Sequence, residues 1–424
     1  MQSQRETVPA AGEVLELLQR FALWLETYGE TSWDHQSWYA GPVGSRAKGL
    51  YYKNKLAGTV AVAPMVFSEA FFPAARRLFH HRMRLPIADA HYAMGFAFLY
   101  EATGEDRHFE RAIHFLDILK TTRCPGFEEC CWGYPFDWVT RNGIIRANTP
   151  LITTTPYVFE AFLQMHQLRA RDEWKKVLES VVRHATTDIK DIKYSETAST
   201  CSYTPHDQGG VVNASAYRAF MLTSAAKSLG QDKLLEIAGR NVSFVLESQN
   251  DDGSWPYAKD GVRHFVDHFH TCFVMKALAK IHDLTAEPRV LDALRRGVNY
   301  YLNNLFGEDG MPRPFSKAPR LTVYKCELYD CAECINLCLL LEGRFPQLGK
   351  VMETVIGGIL KHWVKADGSF RSRRLILGWD NVPMHRWAQS QMFRSLAFYA
   401  RERLGPAARR TGKHEQRAEF SNVH

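Results

Sequence analysis

Acidic residues recur along the chain roughly every sixty positions: Asp89, Asp137, Asp207, Asp267, Asp330 with Glu333 close behind, and Asp380. Glycosidic-bond chemistry needs a pair of carboxylates, about 5 to 5.5 Å apart for retention of configuration or about 6.5 to 9.5 Å apart for inversion. Asp137 and Asp267 are the preferred acid and base because each is set among aromatic residues. Trp132, Tyr134 and Trp138 surround the first, and Trp255, Tyr257 and Phe269 the second. Such rings can stack on sugar faces and, by keeping water away, raise a carboxyl pKa. Asp207 is a further candidate acid, and His270 and Tyr257 are candidates to assist in proton transfer. Trp132, Tyr134, Trp138, Trp255 and Trp387 are the expected stacking residues, with Glu333 and Arg386 as polar contacts. Any single one of these acids also suits a helix N-cap, where a carboxylate accepts unpaired backbone N–H groups.

Metal chemistry is less well supplied. His264, Asp267, His268 and His270 have ligand-type side chains, but on a helix His264 and His268 share a face while His270 points elsewhere, so no metal site is expected. Cys326, Cys331, Cys334 and Cys338 give a C-x4-C-x2-C string followed by another cysteine. The last three form one face of an apolar helix within 328–341 and read as packed thiols, since free cysteine packs as a small hydrophobe. No cofactor is expected: the chain has no phosphate-cradling glycine loop, no Gly-x-Ser-x-Gly elbow and no paired Cys-x-x-Cys signature. Arg386, beside Trp387, could hold a carboxylate with its guanidinium fork, which admits an acidic sugar.

These groups must be positioned by a repeat. Inner helices begin around His91-Tyr92-Ala93-Met94, Pro156-Tyr157-Val158-Phe159, Ala214-Ser215-Ala216-Tyr217, His270-Thr271-Cys272-Phe273, Cys331-Ala332-Glu333-Cys334 and Trp387-Ala388-Gln389-Ser390. A spacing of about sixty residues accommodates two helices of about four turns and their connections. Glycine-containing turns close several units: Trp132-Gly133-Tyr134-Pro135, Gly253-Ser254-Trp255, Gly310-Met311-Pro312 and Gly368-Ser369-Phe370. In the outer helices, Leu291, Leu294, Val298, Tyr301 and Leu305 make one apolar face, whereas inner helices such as 332–341 are apolar nearly all round. Six such hairpins curled into a closed ring predict an all-α fold, the (α/α)6 toroid, with the helix from Val14 to Leu25 completing the outer ring. The loops entering the inner helices would converge on one mouth. The expected organisation is an extended or disordered segment 1–12, one toroid domain over 13–402, and a basic, frayed tail over 403–424.

The wider composition agrees. The chain has 424 residues, 46% apolar and 23% charged, which is that of a globular protein with a large core, and aromatics reach 12%. A net charge of +7, with both signs interleaved, excludes a dedicated nucleic-acid binder. The densest basic segment, Arg76, Arg77, His80, His81, Arg82 and Arg84, could touch a membrane surface or a polyanionic glycan, although a solvated face is the simpler expectation. The most apolar early run, 56–72, is interrupted by Pro64 and Glu69, so no transmembrane segment is expected. A polar start without a signal segment and nine cysteines, an odd number, point to the cytoplasm.

Several motifs resemble known families. Gln249-Asn250-Asp251-Asp252-Gly253-Ser254-Trp255 resembles the repeated turn of triterpene cyclases, and Asp267 to Phe273 resembles the segment carrying the zinc-binding histidine of protein prenyltransferase β subunits. Both families are helical toroids. Their chemistry is not carried over, because Asn213 and Ser215 stand where the prenyltransferases have two further zinc ligands, and no Asp-x-Asp-Asp string occurs. A closer resemblance, over roughly residues 30–400, is to toroid proteins of bacterial exopolysaccharide clusters (the VpsJ type). It is carried by Trp132 to Trp138, Asn148-Thr149-Pro150, Asp267 to Phe273, and Arg386-Trp387-Ala388-Gln389. More distantly the ring resembles unsaturated glucuronyl hydrolases, sugar 2-epimerases and polysaccharide lyases. The resemblance implies a carbohydrate-active protein of exopolysaccharide biosynthesis or modification, working by hydrolysis, elimination or epimerisation on a glycan, with polysaccharide-assembly proteins as possible partners. The alternatives are an isoprenoid-binding, terpenoid-cyclase-like toroid, which would need a dry apolar cavity, and a non-catalytic scaffold.

Overall fold

The computed structural model describes residues 11–319 and 322–405. Of the expected terminal segments 1–12 and 403–424, residues 1–10 and 406–424 lie outside the described residues. The first helix begins at Ala11 and the last runs to Leu404.

The fold is an (α/α)6 toroid. Helix α1 (Ala11–Tyr28) is followed by a short α2 (Ser37–Ala40), α3 (Pro42–Lys53) and α4 (Lys55–Phe71). Five hairpins come next: α5 (Pro86–Thr103) with α6 (Asp106–Thr121), α7 (Thr155–Leu168) with α8 (Asp172–Thr187), α9 (Val212–Leu229) with α10 (Leu234–Glu247), α11 (His268–Thr285) with α12 (Pro288–Asn304), and α13 (Leu328–Leu341) with α14 (Gln347–His362). The sixth inner helix, α15 (Ser390–Leu404), is entered through a π-helical turn at His385–Gln389. It closes the ring against α5, and α1 packs on its outer side as expected.

Burial follows the sequence pattern. In α9 every residue from Val212 to Ala226 is buried, so the helix is apolar or hydrogen-bonded all round; α12 buries Val290, Leu294, Val298 and Tyr301 and leaves Arg295 and Arg296 in water. One continuous core connects the two rings. The expected glycine turns have positive φ at Gly253, Gly310 and Gly368. Gly133 is required for a different reason: a Cβ there would fall 2.0 Å from the Thr149 carbonyl oxygen.

Short antiparallel strands, absent from the sequence reading, trim the mouth. β1 (Trp138–Thr140) pairs with β2 (Gly143–Ile145), and β3 (Asp191–Lys193) with β4 (Ser199–Cys201). β5 (Tyr324–Glu327), β6 (Arg373–Leu375) and β7 (Trp379–Asp380) form a three-stranded sheet in which Glu327 stands opposite Arg373.

Candidate functional site at the mouth of the ring

Loops leading into the inner helices bring a set of aromatic side chains together at one end of the ring. Trp387, in the π turn, lies flat on Tyr329 in the first turn of α13, with ring centroids 4.5 Å apart and planes 8° from parallel. A π turn carries one extra residue, and such turns are used to re-aim side chains at functional sites. Phe269, in the first turn of α11, meets both rings edge-on at 5.2 and 5.3 Å. His35, from the loop after α1, approaches Trp387 at 4.4 Å. Trp387 and Phe269 are half-buried, so this stack has an edge that a ligand can reach.

Beside the stack stands a carboxylate–imidazole dyad. Asp267 caps α11 by accepting the backbone N–H of His270 at 3.1 Å, and the same carboxylate accepts from His270 Nδ1 at 2.8 and 2.6 Å. With the Nδ1 proton committed to Asp267, Nε2 carries the lone pair, on a ring that is 21% exposed. Tyr257 packs edge-on against this imidazole at 4.6 Å. Burial pushes the Tyr257 hydroxyl up to about 12, so it remains a proton donor at neutral pH. The second imidazole, His35, is held well below the usual histidine range by burial against the opposing pull of Asp34, with the cations Arg373, Arg386 and Arg76 adding to the lowering. Two imidazoles therefore lie against one aromatic stack, an arrangement suited to moving protons.

Buried ion pairs hold the stack in place. Arg386 grips Asp34 with both edges of its fork, Nε to Oδ2 at 3.0 Å and Nη2 to Oδ1 at 2.7 Å, and donates to the Tyr134 hydroxyl at 2.9 Å. Its guanidinium lies over the Tyr134 and Trp387 rings, at 4.7 and 5.1 Å. Burial alone would raise the Asp34 pKa; the ion pair with Arg386, with the Gln36 N–H beside it, opposes this and holds the carboxyl well below its ordinary value. On the other side, Trp387 donates its indole N–H to Glu327 at 3.1 Å. Glu327 also accepts from Arg373, which bonds Glu69 at 3.1 Å; Glu69 pairs with Arg76, and Arg76 with Asp380 at 2.7 Å. Trp38 donates to Glu69 as well.

Below the mouth the axis of the ring is ionic. Lys276 pairs with Glu333 and Lys280 with Glu160, while Arg394 and Gln391 bond His91. A small cavity between α7, α9 and α11 is lined by Tyr157, Glu160, Tyr217, Phe220, Lys276 and Lys280. Burial lowers Lys280 to about 8 in spite of Glu160. An axis of this kind is the opposite of the dry apolar cavity that an isoprenoid cyclase requires.

The residues singled out from sequence fall into three groups. Asp267, His270, Tyr257, Tyr134, Trp138, Arg386 and Trp387 lie at the mouth, with Trp138 edge-on to Tyr134 at 5.8 Å. Glu333 lies deeper, on the axis. The rest have other duties. Asp137 is bound by Arg146 at 2.7 Å and by the Ala147 N–H at 2.8 Å, with 39% of its side chain exposed. These bonds, the Ala147 N–H first, lower its pKa, the reverse of the desolvation expected from its aromatic neighbours. Asp207 is a loop staple, accepting the backbone N–H groups of Tyr203, Thr204 and Gly209. Trp132 and Trp255 are buried and cannot receive a sugar. Their indoles cap outer helices, donating to the Leu119 and Val245 carbonyls, each at 2.9 Å. The Arg386 fork, expected to be open to a substrate carboxylate, is occupied by Asp34. His268 points into the wall, its Nδ1 3.1 Å from the Leu305 carbonyl and its Nε2 2.8 Å from the Tyr301 hydroxyl, away from His270.

Sequence reading missed Asp34, His35, Glu327, Arg373, Tyr329 and, Glu333 apart, the axial charges. A usable signal existed for the last: Glu160, Lys276 and Arg394, like Glu333, interrupt largely apolar inner helices, and a charge in such a helix must find a buried partner. Asp34 and His35 lie outside the repeat and carried no such signal.

No family model and no curated protein matches the chain. Solved structures of the same fold do. An unsaturated glucuronyl hydrolase specific for heparin superposes with a TM-score of 0.63 at 10% identity, covering 93% of this chain and 97% of that one. An unsaturated glucuronyl hydrolase from a Bacillus species gives 0.60 at 11% identity, over 95% and 98%. Cellobiose 2-epimerase from Bacillus thermoamylovorans gives 0.61 at 8% identity, over 76% and 88%. At such identities the likeness is one of fold, and the chain shares the (α/α)6 toroid with these glycan-active enzymes.

Proposed function

We propose that this chain is a carbohydrate-active enzyme that transfers a proton at a carbon or oxygen of a sugar bound against Trp387. The observation that carries the reading is the Asp267–His270 dyad standing beside the Trp387–Tyr329 stack at the mouth of the ring. His270 Nε2 is the general base or acid, Asp267 fixes its tautomer and stabilises the imidazolium that forms, and Tyr257 supplies a hydroxyl proton. His35, neutral by burial, is the second imidazole. This set favours epimerisation or elimination over hydrolysis by an Asp137–Asp267 pair, because Asp137 would enter the reaction ionised and poorly able to protonate a leaving group. An acidic sugar would have to compete with Asp34 for Arg386, so a neutral sugar ring is the preferred ligand.

The solved enzymes that share the fold act on glycans by their printed names, which supports the substrate class. The sequence resemblance to exopolysaccharide-cluster toroids supplies the proposed setting: a polysaccharide precursor, handled in the cytoplasm beside assembly proteins.

Incubation in D2O with a panel of reducing mono- and disaccharides and unsaturated uronides, followed by proton NMR, tests the reading. Solvent deuterium should enter the carbon next to the carbonyl, and His270→Ala should abolish the exchange. Glycosidic cleavage that persists in His270→Ala would return the assignment to a carboxylate pair. Binding of a sugar without any turnover across the panel would favour the scaffold.

A further inference from the structure

Residues 37–79 lie outside the six hairpins of the ring, and they carry an unusual surface. Ten of the seventeen large apolar residues exposed among the described residues fall between Val43 and Phe79, which makes this segment the apolar face of the molecule. α3 and α4 pack on each other closely: a Cβ on Gly58 would fall 2.0 Å from the Tyr51 Cα. Along α4, Leu56, Val60, Ala63, Phe67 and Phe71 follow at three- and four-residue steps and are all exposed, Leu56 by 82% and Val60 by 71%. This stripe is turned to the outside, whereas an ordinary amphipathic helix would bury it.

Charge specifies what could cover it. From Ser37 to Ser68 there is no aspartate or glutamate, while Arg46, Lys48, Lys53 and Lys55 supply four cations. The first acid, Glu69, is buried against Arg76 and Arg373 and adds no negative field at the surface. An apolar stripe flanked only by cations, with Tyr51 and Tyr52 at the turn between the helices, matches the layering of an anionic bilayer surface: acyl chains, then phosphates. The hairpin cannot cross a bilayer. α4 has 17 residues, about 26 Å of helix at 1.5 Å per residue, and no helix among the described residues is long and apolar enough to span.

We propose that the α3–α4 hairpin seats the protein on the surface of an anionic lipid bilayer, with the α4 stripe at the level of the upper acyl chains and the lysines and Arg46 on the headgroups. α2 and α3 also contact β1, the strand that carries Trp138, so the seated hairpin would hold the rim of the mouth near the membrane. The proposal stands independently of the sugar chemistry.

Vesicle flotation with the full chain tests it, using phosphatidylcholine vesicles with and without phosphatidylglycerol. The wild type should float with the anionic vesicles, remain unbound with the neutral ones, and be released by raised salt. Lys53→Glu with Lys55→Glu should weaken binding by at least about tenfold. The triple variant Leu56→Ser, Val60→Ser, Phe67→Ser should stay with the unbound fraction while keeping the wild-type circular dichroism and melting temperature, because all three side chains are exposed. Failure of the wild type to float with anionic vesicles, or flotation of the triple variant like wild type, overturns the proposal. It is equally overturned if the wild type is a dimer without vesicle affinity that the triple variant converts to monomer, since the face would then belong to a second copy of the chain.

Discussion

Glu327 divides its two oxygens between partners of different kinds: one accepts the indole N–H of Trp387 at 3.1 Å, and the other holds the guanidinium of Arg373. The orientation of the half-buried aromatic stack is thereby tied to a buried ion network that runs through Arg373 and Glu69 to Arg76. Removing one partner from a buried network leaves an uncompensated charge, at a cost of about 3 to 5 kcal/mol. Glu327→Ala should lose stability in that range in urea unfolding and should also weaken sugar binding. Glu327→Gln, which keeps an acceptor for Trp387, should weaken it less. Equal sugar affinity in wild type and Glu327→Ala would break the link between network and stack.

Asp267 has two separable roles, and Asp267→Asn distinguishes them. An asparagine oxygen can still accept the His270 backbone N–H, so the cap survives and stability should change by less than about 1 kcal/mol. The charge facing the imidazole is lost, and with it the preference for the Nδ1–H tautomer. Turnover should fall by about a hundredfold or more. A variant that is equally stable and equally active would reduce Asp267 to a helix cap.

Tryptophans that look alike in sequence are expected to respond oppositely. Trp132→Phe and Trp255→Phe each lose a buried hydrogen bond to the carbonyl of an outer helix, worth about 1 to 3 kcal/mol of stability, and should leave sugar affinity unchanged. Trp387→Ala also gives up an indole N–H bond, to the buried Glu327 carboxylate, and should cost a comparable amount of stability, but it alone should abolish sugar binding. Denaturant midpoints and titrations followed by intrinsic fluorescence on the three variants read both quantities. Loss of binding in Trp132→Phe at constant stability would contradict its place in the core.

Why the ring was legible and much of the mouth was not follows from where each kind of information resides. Periodicity is local, so the alternation of fully apolar inner helices such as α9 with one-faced outer helices such as α12 could be read residue by residue, and the closing role of α1 followed by elimination. The mouth depends on pairings between distant positions. Arg386 and Asp34 are 352 residues apart, and Arg373 and Glu69 are 304 apart. No local pattern marks such partners, which is why the Arg386 fork was read as open when Asp34 fills it. The dry setting expected around Asp137 is absent for a related reason. Aromatic neighbours in sequence suggested a dry environment, but the β1–β2 hairpin turns that carboxylate outward to Arg146. The apolar run 56–72 reads in sequence only as a stretch interrupted by Pro64 and Glu69 that does not span a membrane; its exposure comes from the hairpin geometry, which hydropathy does not encode.

His385 gives the mouth a defined sensitivity to acid. It opens the π turn immediately before Arg386 and Trp387 and is buried, with Nε2–H donating to the Gly29 carbonyl at 2.9 Å and Nδ1 accepting from the Tyr92 hydroxyl at 2.6 Å. Burial, reinforced by Arg82 and Arg84, lowers its pKa from the ordinary 6.5 to about 3. The unfolded chain therefore binds the proton more readily than the folded one. The stabilising contribution is complete above about pH 6.5 and is lost as the pH falls toward 3, at up to about 1.4 kcal/mol per pH unit. A glutamine cannot titrate, so carboxylate effects common to both proteins cancel when wild type is compared with His385→Gln. The stability advantage of wild type over the variant should shrink by about 2 kcal/mol between pH 7.5 and pH 5 in urea unfolding. Sugar binding at Trp387 should not change through His385 over the same interval, because the folded protein keeps this imidazole neutral until the pH approaches 3. An advantage that stays constant between the two pH values would mean that the imidazole accepts its proton without leaving its place, and the buried neutral state assigned to it would be wrong.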